Sequence, residues 1–304
     1  MNRIILAGGS GYLGIVLADY YKNKVKEVII LTRGKNEMRD NIRWVHWDGQ
    51  HISNWVEWME GADLLINLTG KNVNCRYTDE NKNEIISSRV NTTNVLGEAL
   101  MKLEKPPKVW IQCVSSTIYR DSRDKDMDEF SGEIGEGFSV DVCERWEEAF
   151  DKHEIPNVRK VALRISFVLG RNGGAFPTLH ALARLGLGGK QGDGQQYVSW
   201  IHERDFARIV EWVYSNEKIE GVYNCTAPHP VTNKVMMSEL RKAAGIPIGL
   251  PSPECLLKVG AFFIGTEPEL ALKSRKVVPA KLVNEGFQFE YDHLEYALED
   301  LMKG

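Results

Sequence analysis

The stretch Ile5–Gly14, "ILAGGSGYLG", decides the fold of this chain. An apolar run leads directly into three glycines in the spacing G-x-x-G-x-x-G, and a helical pattern follows at once. The first two glycines permit a tight turn and a close approach of the backbone to a diphosphate, and the third lets helix and strand pack closely. The start of the helix adds unpaired N–H groups and the positive end of the helix dipole. The pattern predicts a dinucleotide site, with a purely structural turn as the alternative, and the predicted residues are Gly8, Ser10, Gly11, Tyr12, Leu13 and Gly14.

Short apolar runs alternate with helical patterns over about the first 165 residues. The predicted strands are "RIILAG", "EVIILTR", "IRWVHWD", "DLLINLTG", "KPPKVWIQCVSS" and "VRKVALRISFVLG". The predicted helices span about residues 11–23, 79–103 and 139–150. Alternation at this spacing is typical of a parallel sheet with helices on both faces, and right-handed crossovers then impose a doubly wound order. We predict an α/β protein with a Rossmann doubly wound parallel sheet and a smaller, mostly helical C-terminal substrate lobe.

The strand–helix alternation gives way to a glycine-rich sequence after Gly170, and this change suggests that the chain has three parts. Residues 1–170 form the predicted Rossmann core, to which residues 202–225 return as an amphipathic helix and a strand. Residues 171–201 form a glycine-rich substrate loop, and residues 226–304 form the C-terminal substrate lobe. We expect this lobe to lie over the carboxyl edge of the sheet, where ligands bind in open α/β folds.

The composition argues against several functional classes. The chain has 304 residues, of which 43% are hydrophobic and 26% are charged, with a net charge of −4. This charge gives no electrostatic footprint for nucleic acid or an anionic membrane, and no apolar run approaches the roughly 20 residues that span a bilayer. The five cysteines are scattered without C-x-x-C spacing, and a predicted strand begins too early to leave room for a signal peptide. We expect a cytoplasmic protein with reduced thiols, a small-molecule substrate, no metal, and no nucleic-acid or membrane partner.

The end of the second predicted strand bears on the choice of cofactor. Enzymes that prefer NAD usually carry an acid there, which binds the ribose 2′-hydroxyl. This chain has Thr32 and Arg33 instead, and a guanidinium suits a 2′-phosphate. We therefore predict NADP in preference to NAD, with a solvated surface charge as the alternative role of Arg33. Asp48 is predicted to meet the adenine, and the predicted contacts to the second ribose are Leu68, Thr69 and Gly70.

With these motifs in place, the chain resembles a known family. Long stretches match over nearly its whole length, including "GGSGYLG", "RWEEAF", "LRISFVLGRNGGAF" and "RLGLGGKQGDGQQYVSWIHERDFA". They are similar to extended short-chain dehydrogenase/reductases of the NAD-dependent epimerase/dehydratase superfamily, and more narrowly to the YfcH-like (SulA-type) branch with a C-terminal DUF1731 segment. The resemblance implies a Rossmann core and a pyridine nucleotide, but it does not specify a substrate. Relatives often dimerise through a four-helix face, which implies a homodimer here.

The resemblance also indicates where the reaction would take place. In short-chain dehydrogenases a serine polarises the substrate oxygen, and a Tyr-x-x-x-Lys pair on one helix transfers the proton and binds the nicotinamide ribose. Ser115 best matches that serine, with Ser116 and Thr117 as close alternatives. The two helix positions are occupied by Ser139 and Cys143, and neither side chain can perform the standard roles.

Another proton carrier is therefore required if the protein is an enzyme. Tyr119 lies just beyond the serine strand, and a short turn could aim its phenol into the cleft. A packed or surface tyrosine is the alternative. We predict Ser115, Ser116 and Tyr119 as the catalytic candidates.

Further candidates surround the predicted cleft. Arg89 and Asn91 lie on the long helix beneath the predicted site, and Asn91 matches a helix asparagine that orders the site in relatives, with a purely structural bend as the alternative. Arg76 is predicted to clamp a carboxylate or phosphate, and the glycine-rich loop is predicted to fold over substrate as a lid. The predicted substrate-facing residues are Arg76, Lys190, Gln196, Ser199 and Trp200. His202 and Asp205 are predicted to be structural.

Three functions remain open from the sequence. The first is an NADP-linked oxidoreductase of atypical chemistry that acts on a small carbonyl or hydroxyl substrate. The second is a nucleotide-sugar epimerase or dehydratase. The missing Tyr-x-x-x-Lys pair argues more strongly against this function, because each turnover requires two redox steps. The third is an NADP-binding sensor or scaffold without turnover. The sequence favours the first.

Overall fold

The computed structural model describes residues 1–257, 267 and 272–303. Residues 258–266, 268–271 and 304 of the predicted C-terminal lobe lie outside the described residues. The fold prediction is confirmed, because the chain forms an α/β structure around a large, mostly parallel sheet.

Within the described residues, the largest sheet has eight strands in the order β12-β7-β6-β5-β1-β2-β4-β3. In chain order these strands are β1 (Arg3–Ala7), β2 (Glu27–Thr32), β3 (Glu37–Arg39), β4 (Ile42–His46), β5 (Leu64–Asn67), β6 (Val109–Ser115), β7 (Arg159–Ile165) and β12 (Gly221–Cys225). Strand β3 pairs antiparallel with β4, and the other neighbours are parallel. The strand order reverses between β1 and β5, which places a crevice at the carboxyl ends of these two strands.

Helices cover both faces of this sheet. Along β1, Ile4 and Leu6 point into one hydrophobic cluster while Ile5 and Ala7 point into the other, as the two-residue period of a strand requires. The first cluster receives buried side chains from α1 (Tyr12–Tyr21) and α5 (Glu203–Ser215). The second cluster receives them from α2 (Asp79–Leu100) and α3 (Phe138–Asp151). Burial on both faces explains why the central strands read as nearly continuous apolar runs.

The remaining elements form smaller units beside the main sheet. Helix α4 (Phe176–Arg184) lies within the glycine-rich segment, and α6 (Asn233–Ala243) follows the last strand of the main sheet after a short connection. The C-terminal segment contributes α7 (Ala280–Asn284) and α8 (Leu294–Met302). The other strands are β8 (Phe167–Gly170), β9 (Gly173–Gly174), β10 (Tyr197–Val198), β11 (Trp200–His202) and β13 (Val231–Thr232), and short 3-10 turns lie at Asn54–Trp58 and Ser116–Ile118.

A separate apolar cluster joins these smaller elements. Buried side chains of α4, α6, β11 and α8 meet there, among them Trp200, Leu240 and Leu298. Asp205 on α5 ties the C-terminal segment to the core, since its carboxylate accepts hydrogen bonds from the backbone N–H groups of Glu290 and Tyr291 at 3.0 and 2.8 Å. The structural role predicted for Asp205 is thus confirmed.

No helix in the described part of the chain combines the length and the apolarity that crossing a membrane demands.

Candidate functional site

The glycine turn between β1 and α1 is tightly packed. Gly8 has φ +71°, and a Cβ at this position would lie 2.8 Å from Cγ2 of Thr69, which follows β5. A Cβ on Gly14 would lie 2.2 Å from the carbonyl oxygen of Gly9. Gly11 is the N-cap of α1 and has no capping side chain. The positive φ of Gly8 and the close backbone contact of Gly14 therefore require glycine at both positions. The turn also presents the start of a helix to the crevice.

A cavity of about 680 Å³ occupies this crevice. It extends across the carboxyl ends of β2, β1 and β5 and along one face of α2. The lining residues are Gly8, Ser10, Gly11, Leu31, Thr32, Arg33, Trp47, Asp48, Gly49, Gln50, Leu68, Thr69, Gly70, Lys71, Asn72, Glu84, Ser87, Ser88, Asn91 and Thr92. The structure thus brings together the predicted cofactor residues except Tyr12, Leu13 and Gly14.

Tyr12 points away from this cavity. Its hydroxyl donates a hydrogen bond to the carboxylate of Glu203, and a Cβ built on Gly170 or Gly173 would clash with its side chain. Burial and the neighbouring carboxylate raise the pKa of the phenol. The side chain of Tyr12 therefore joins the glycine turn to α5, and a contact of its backbone with the cofactor stays a prediction. Leu13 packs against the core.

The rim of the cavity at β2 carries an arginine and no acid. Oγ1 of Thr32 accepts a hydrogen bond from the N–H of Gly34 at 3.2 Å, so the strand ends in a local turn. Arg33 follows with an exposed side chain and lines the cavity. This position suits a phosphate on the adenosine ribose.

Asp48 stabilises its own loop. Its carboxylate accepts hydrogen bonds from the backbone N–H groups of Gln50 and His51 at 2.8 and 2.9 Å, and it lies 2.7 Å from Nδ1 of His51. The hydrogen bond from His51 is the main reason that the pKa of Asp48 is lowered to about 2. The carboxylate is thus ionised, and it fixes the loop that closes the cavity beyond β4.

Helix α2 contributes a polar face that the sequence reasoning missed. Glu84, Ser87, Ser88, Asn91 and Thr92 follow the spacing of one helical face, and this periodicity was the signal available in the sequence. Of the five, only Asn91 was predicted.

Glu84 lines the cavity and forms an ion pair with Lys71. Nζ of Lys71 also donates a hydrogen bond to Oδ1 of Asn81 at 2.7 Å, and its backbone N–H donates to Oγ of Ser88 at 2.9 Å. These bonds hold the loop after β5 against α2.

The serine strand β6 ends in a short polar chain. Oγ of Ser115 lies 3.0 Å from Oγ1 of Thr117, which lies 3.3 Å from Sγ of Cys143 on α3. Ser115 is half-buried, whereas Ser116 is buried. Burial raises the pKa of Cys143 to about 11, so this thiol is protonated at neutral pH. Of the two serines, Ser115 is the less buried, and its hydroxyl is linked to α3 through Thr117.

Tyr119 does not face the cavity. It is only 3% exposed, and its hydroxyl donates to Oδ1 of Asn224 at 3.0 Å and accepts from Nη1 of Arg164 at 2.9 Å. Arg164 is itself bonded to Glu147 at 2.7 and 2.8 Å. Burial raises the pKa of the phenol. This network corrects the expectation that a turn aims Tyr119 into the cleft.

The predicted lid residues are mostly structural. Oγ of Ser199 donates to the carbonyl of Arg275 at 2.7 Å, and Nε1 of Trp200 donates to the carbonyl of His229 at 3.2 Å. Ser199, Trp200 and Gln196 are 1% exposed or less. The expectation that these three face substrate is therefore corrected, because they anchor the glycine-rich segment.

Arg76 and Lys190 are the exposed members of the predicted substrate set. Neither lines the cavity beside the glycine turn.

Comparison with known proteins assigns the family. The sequence model of the NAD dependent epimerase/dehydratase family matches residues 4–226, and that of the domain of unknown function DUF1731 matches residues 252–301. The chain belongs to the NAD-dependent epimerase/dehydratase family. The narrower YfcH-like branch stays a prediction.

Two bacterial relatives align along this family member from end to end. Epimerase family protein YfhF of Bacillus subtilis is 32% identical over 99% of this chain and 98% of the relative. Epimerase family protein SA0724 of Staphylococcus aureus is 30% identical over the whole of both chains.

Solved structures resemble it as well. Human epimerase family protein SDR39U1, crystallised with NADPH, superposes with a TM-score of 0.86 at 28% identity and covers 99% of both chains. A nucleoside-diphosphate sugar epimerase of Corynebacterium glutamicum superposes with a TM-score of 0.78 at 28% identity, and 58% of its chain is covered.

Proposed function

We propose that this family member binds NADP(H) and is an atypical short-chain dehydrogenase/reductase-like oxidoreductase that acts on a small carbonyl or hydroxyl substrate. The observation that carries the proposal is the position of Arg33, which follows β2 at the cavity rim where NAD enzymes carry an acid. The likeness to human SDR39U1, whose structure holds NADPH, supports the same cofactor.

The residues of the cavity fit such a dinucleotide. The turn from Gly8 to Gly11 and the start of α1 would hold the diphosphate with backbone N–H groups. The guanidinium of Arg33 would bind the 2′-phosphate, and the loop at Asp48 would close over the adenine. The backbone of Thr69 and Gly70 would lie along the second ribose.

The bound cofactor supplies or accepts a hydride, and the chain supplies orientation. Ser115 would hydrogen-bond the reacting oxygen of the substrate, because its half-buried hydroxyl lies at the carboxyl end of β6, next to the strand that borders the cavity. Ser116 and Tyr119 are left out of this role because they are buried.

A binding protein without turnover is the second candidate. It is favoured by Ser139 and Cys143 at the two positions of the usual pair, and by the engagement of Tyr119 with Arg164. A nucleotide-sugar epimerase would need the missing pair in both half-reactions, and we rank it third.

Calorimetric titration tests cofactor binding. We expect NADPH to bind more tightly than NADH, and Arg33→Ala to weaken NADPH by about 10- to 100-fold while leaving NADH nearly unchanged, because one charge-assisted phosphate contact is lost. Arg39→Ala is the matched control, since this exposed arginine on β3 pairs with Glu37 outside the cavity. Equal affinities for the two cofactors, or no effect of Arg33→Ala, would contradict NADP selectivity.

A carbonyl screen then separates the enzyme from the binding protein. We expect Ser115→Ala to slow any NADPH oxidation that the screen finds, and Ser131→Ala, which changes an exposed serine, to leave the rate unchanged. Tight NADPH binding with no compound oxidising it would favour the binding protein.

A further inference from the structure

Arg89 on α2 is a half-buried cation. Its Nη1 donates a hydrogen bond to the carbonyl of Ile85 at 2.9 Å, and its Cζ lies 4.8 Å from the ring centroid of Trp146 on α3. Among the described residues, the ionisable groups that act on this guanidinium are Cys143 and Tyr77, and no carboxylate is one of them. Burial without a counter-ion is costly for a charged group, and it lowers the pKa of Arg89. This arrangement fits a site whose acceptor atoms come from a ligand.

The guanidinium packs against Gly70, at the end of the cofactor cavity that follows β5. A Cβ built on Gly70 would lie 2.9 Å from Cζ of Arg89 and 3.0 Å from its Nη2. Gly70 itself lines the cavity. Glycine at this position thus lets the guanidinium lie close to the backbone at this end of the cavity.

The same guanidinium lies beside the position of the missing lysine. Cys143 occupies that position, and Trp146, which carries the guanidinium on its ring, is one helical turn further along α3. The charge of Arg89 acts on the thiol and lowers its pKa, against the larger opposite effect of burial. Helix α2 thus provides a positive charge beside the position of α3 where the lysine of relatives is replaced by the neutral Cys143.

The strand order fixes which part of a dinucleotide would reach Arg89. With its 2′-phosphate at Arg33 after β2 and its diphosphate at the turn after β1, the ligand must continue past β5 towards β6. Gly70 follows β5, and Ser115 ends β6. The second ribose and its nicotinamide would then lie over Gly70, between the cofactor cavity and Ser115.

We propose that Arg89 provides, from α2, the cation that binds the nicotinamide ribose of NADP(H), in the place where relatives with the Tyr-x-x-x-Lys pair use a lysine of the next helix. This inference rests on the proposed function. The guanidinium would donate to the ribose hydroxyls while the face of Trp146 and the carbonyl of Ile85 hold it in place.

Two ligands separate this role from general cofactor binding. NADPH fills both halves of the site, whereas 2′,5′-ADP carries the adenosine half and lacks the nicotinamide ribose. We expect Arg89→Met to weaken NADPH by about 10- to 100-fold and to leave 2′,5′-ADP within about twofold of the unmodified protein, because hydrogen bonds from a charged donor are lost in one half alone. The NADPH affinity of Arg89→Lys, which keeps a charge, should lie between those of Arg89→Met and the unmodified protein.

Controls guard against a folding defect. Arg145→Met removes an exposed arginine of α3 that pairs with Asp141 at 2.8 Å, and it should leave both affinities unchanged. Arg33→Ala should weaken the binding of both ligands to a similar extent. Unchanged NADPH affinity in Arg89→Met, or an equal loss for 2′,5′-ADP, would overturn the role of Arg89 while leaving NADP binding intact. If the unmodified protein binds neither ligand, the proposed function fails, and this inference fails with it.

Discussion

The phenol oxygen of Tyr119 and Nη1 of Arg164 lie 2.9 Å apart in a partly buried network that also holds Glu147 and Asn224. Each member has its partner inside the protein, so the network joins β7 and β12 to α3 and to the segment after β6. A phenol held in this way stabilises the fold and is not available to protonate a substrate in the cleft.

Tyr119→Phe should therefore reduce stability without changing NADPH affinity. Removal of the hydroxyl leaves Oδ1 of Asn224 and one N–H of Arg164 without this partner in a buried site, at a cost of about 1–3 kcal/mol. Urea denaturation measures the loss, and calorimetry measures the affinity. Tyr296→Phe, on an exposed tyrosine, is the control and should change neither quantity. A normal free energy of unfolding with a loss of reductase activity would restore the catalytic role.

The glycine turn offers a matched pair of substitutions. A Cβ at Gly14 would meet the backbone oxygen of Gly9 at 2.2 Å, so Gly14→Ala should destabilise the protein by about 3 kcal/mol or more. A Cβ at Gly11 has its nearest neighbour at 3.9 Å, so Gly11→Ala should cost less than about 1 kcal/mol.

Although Gly11→Ala should affect stability little, it should have a large effect on ligand binding. The added methyl group of Gly11→Ala would occupy the space that a diphosphate needs, so we expect NADPH to bind at least about tenfold more weakly. Thermal unfolding and calorimetry give the two readouts. Full NADPH affinity in a well-folded Gly11→Ala would place the diphosphate elsewhere.

Most of the fold could be predicted from the sequence because its signals are local. The glycine spacing from Gly8 to Gly14 and the apolar strands depend on neighbouring residues, and the cavity residues Arg33, Thr69 and Gly70 directly follow or lie just beyond strands of a parallel sheet. Carboxyl ends of such strands meet at one edge, so these positions can be inferred without coordinates.

The errors come from contacts between distant parts of the chain. Tyr12 bonds a carboxylate 191 residues away, and Ser199 bonds a carbonyl 76 residues away. A local pattern does not specify such partners, and a polar side chain in a matched motif then looks like a ligand-binding residue. Arg89 lies on a helix that the sequence predicts, but its distances from Gly70 and Trp146 depend on how α2 packs against the loop after β5 and against α3.

We expect His202 to make the stability depend on pH. It is buried, and burial lowers its pKa to about 4, whereas an unfolded histidine titrates near about 6.5. Between these values the unfolded chain binds a proton that the folded chain does not. The stability is therefore complete above about pH 6.5 and falls as the pH decreases, by up to about 1.4 kcal/mol per pH unit from this group.

Thermal unfolding between pH 7.5 and 5 measures this slope. His202→Gln should flatten it, whatever its effect on the absolute melting temperature, because the titrating group is gone. His180→Gln, which removes a half-buried histidine of α4, should keep the slope. An unchanged slope in His202→Gln would mean that other groups carry the pH dependence.

Tyr12→Phe separates a structural from a cofactor-binding role at the glycine turn. The phenol donates to Glu203 across the interface between α1 and α5, and Glu203 also accepts the N–H of Arg171 at 3.2 Å. Loss of the hydroxyl should cost about 1–2 kcal/mol, because one hydrogen bond to a charged, partly buried acceptor is removed. NADPH affinity should stay within about twofold, since the side chain points away from the cavity.

Tyr20→Phe is the matched control. Tyr20 lies on the same helix and bonds Glu211 of α5 in the same way, so its loss should reduce stability by a similar amount. If Tyr12→Phe instead lowers NADPH affinity tenfold while Tyr20→Phe does not, the phenol contacts the bound dinucleotide and α1 must rearrange on binding.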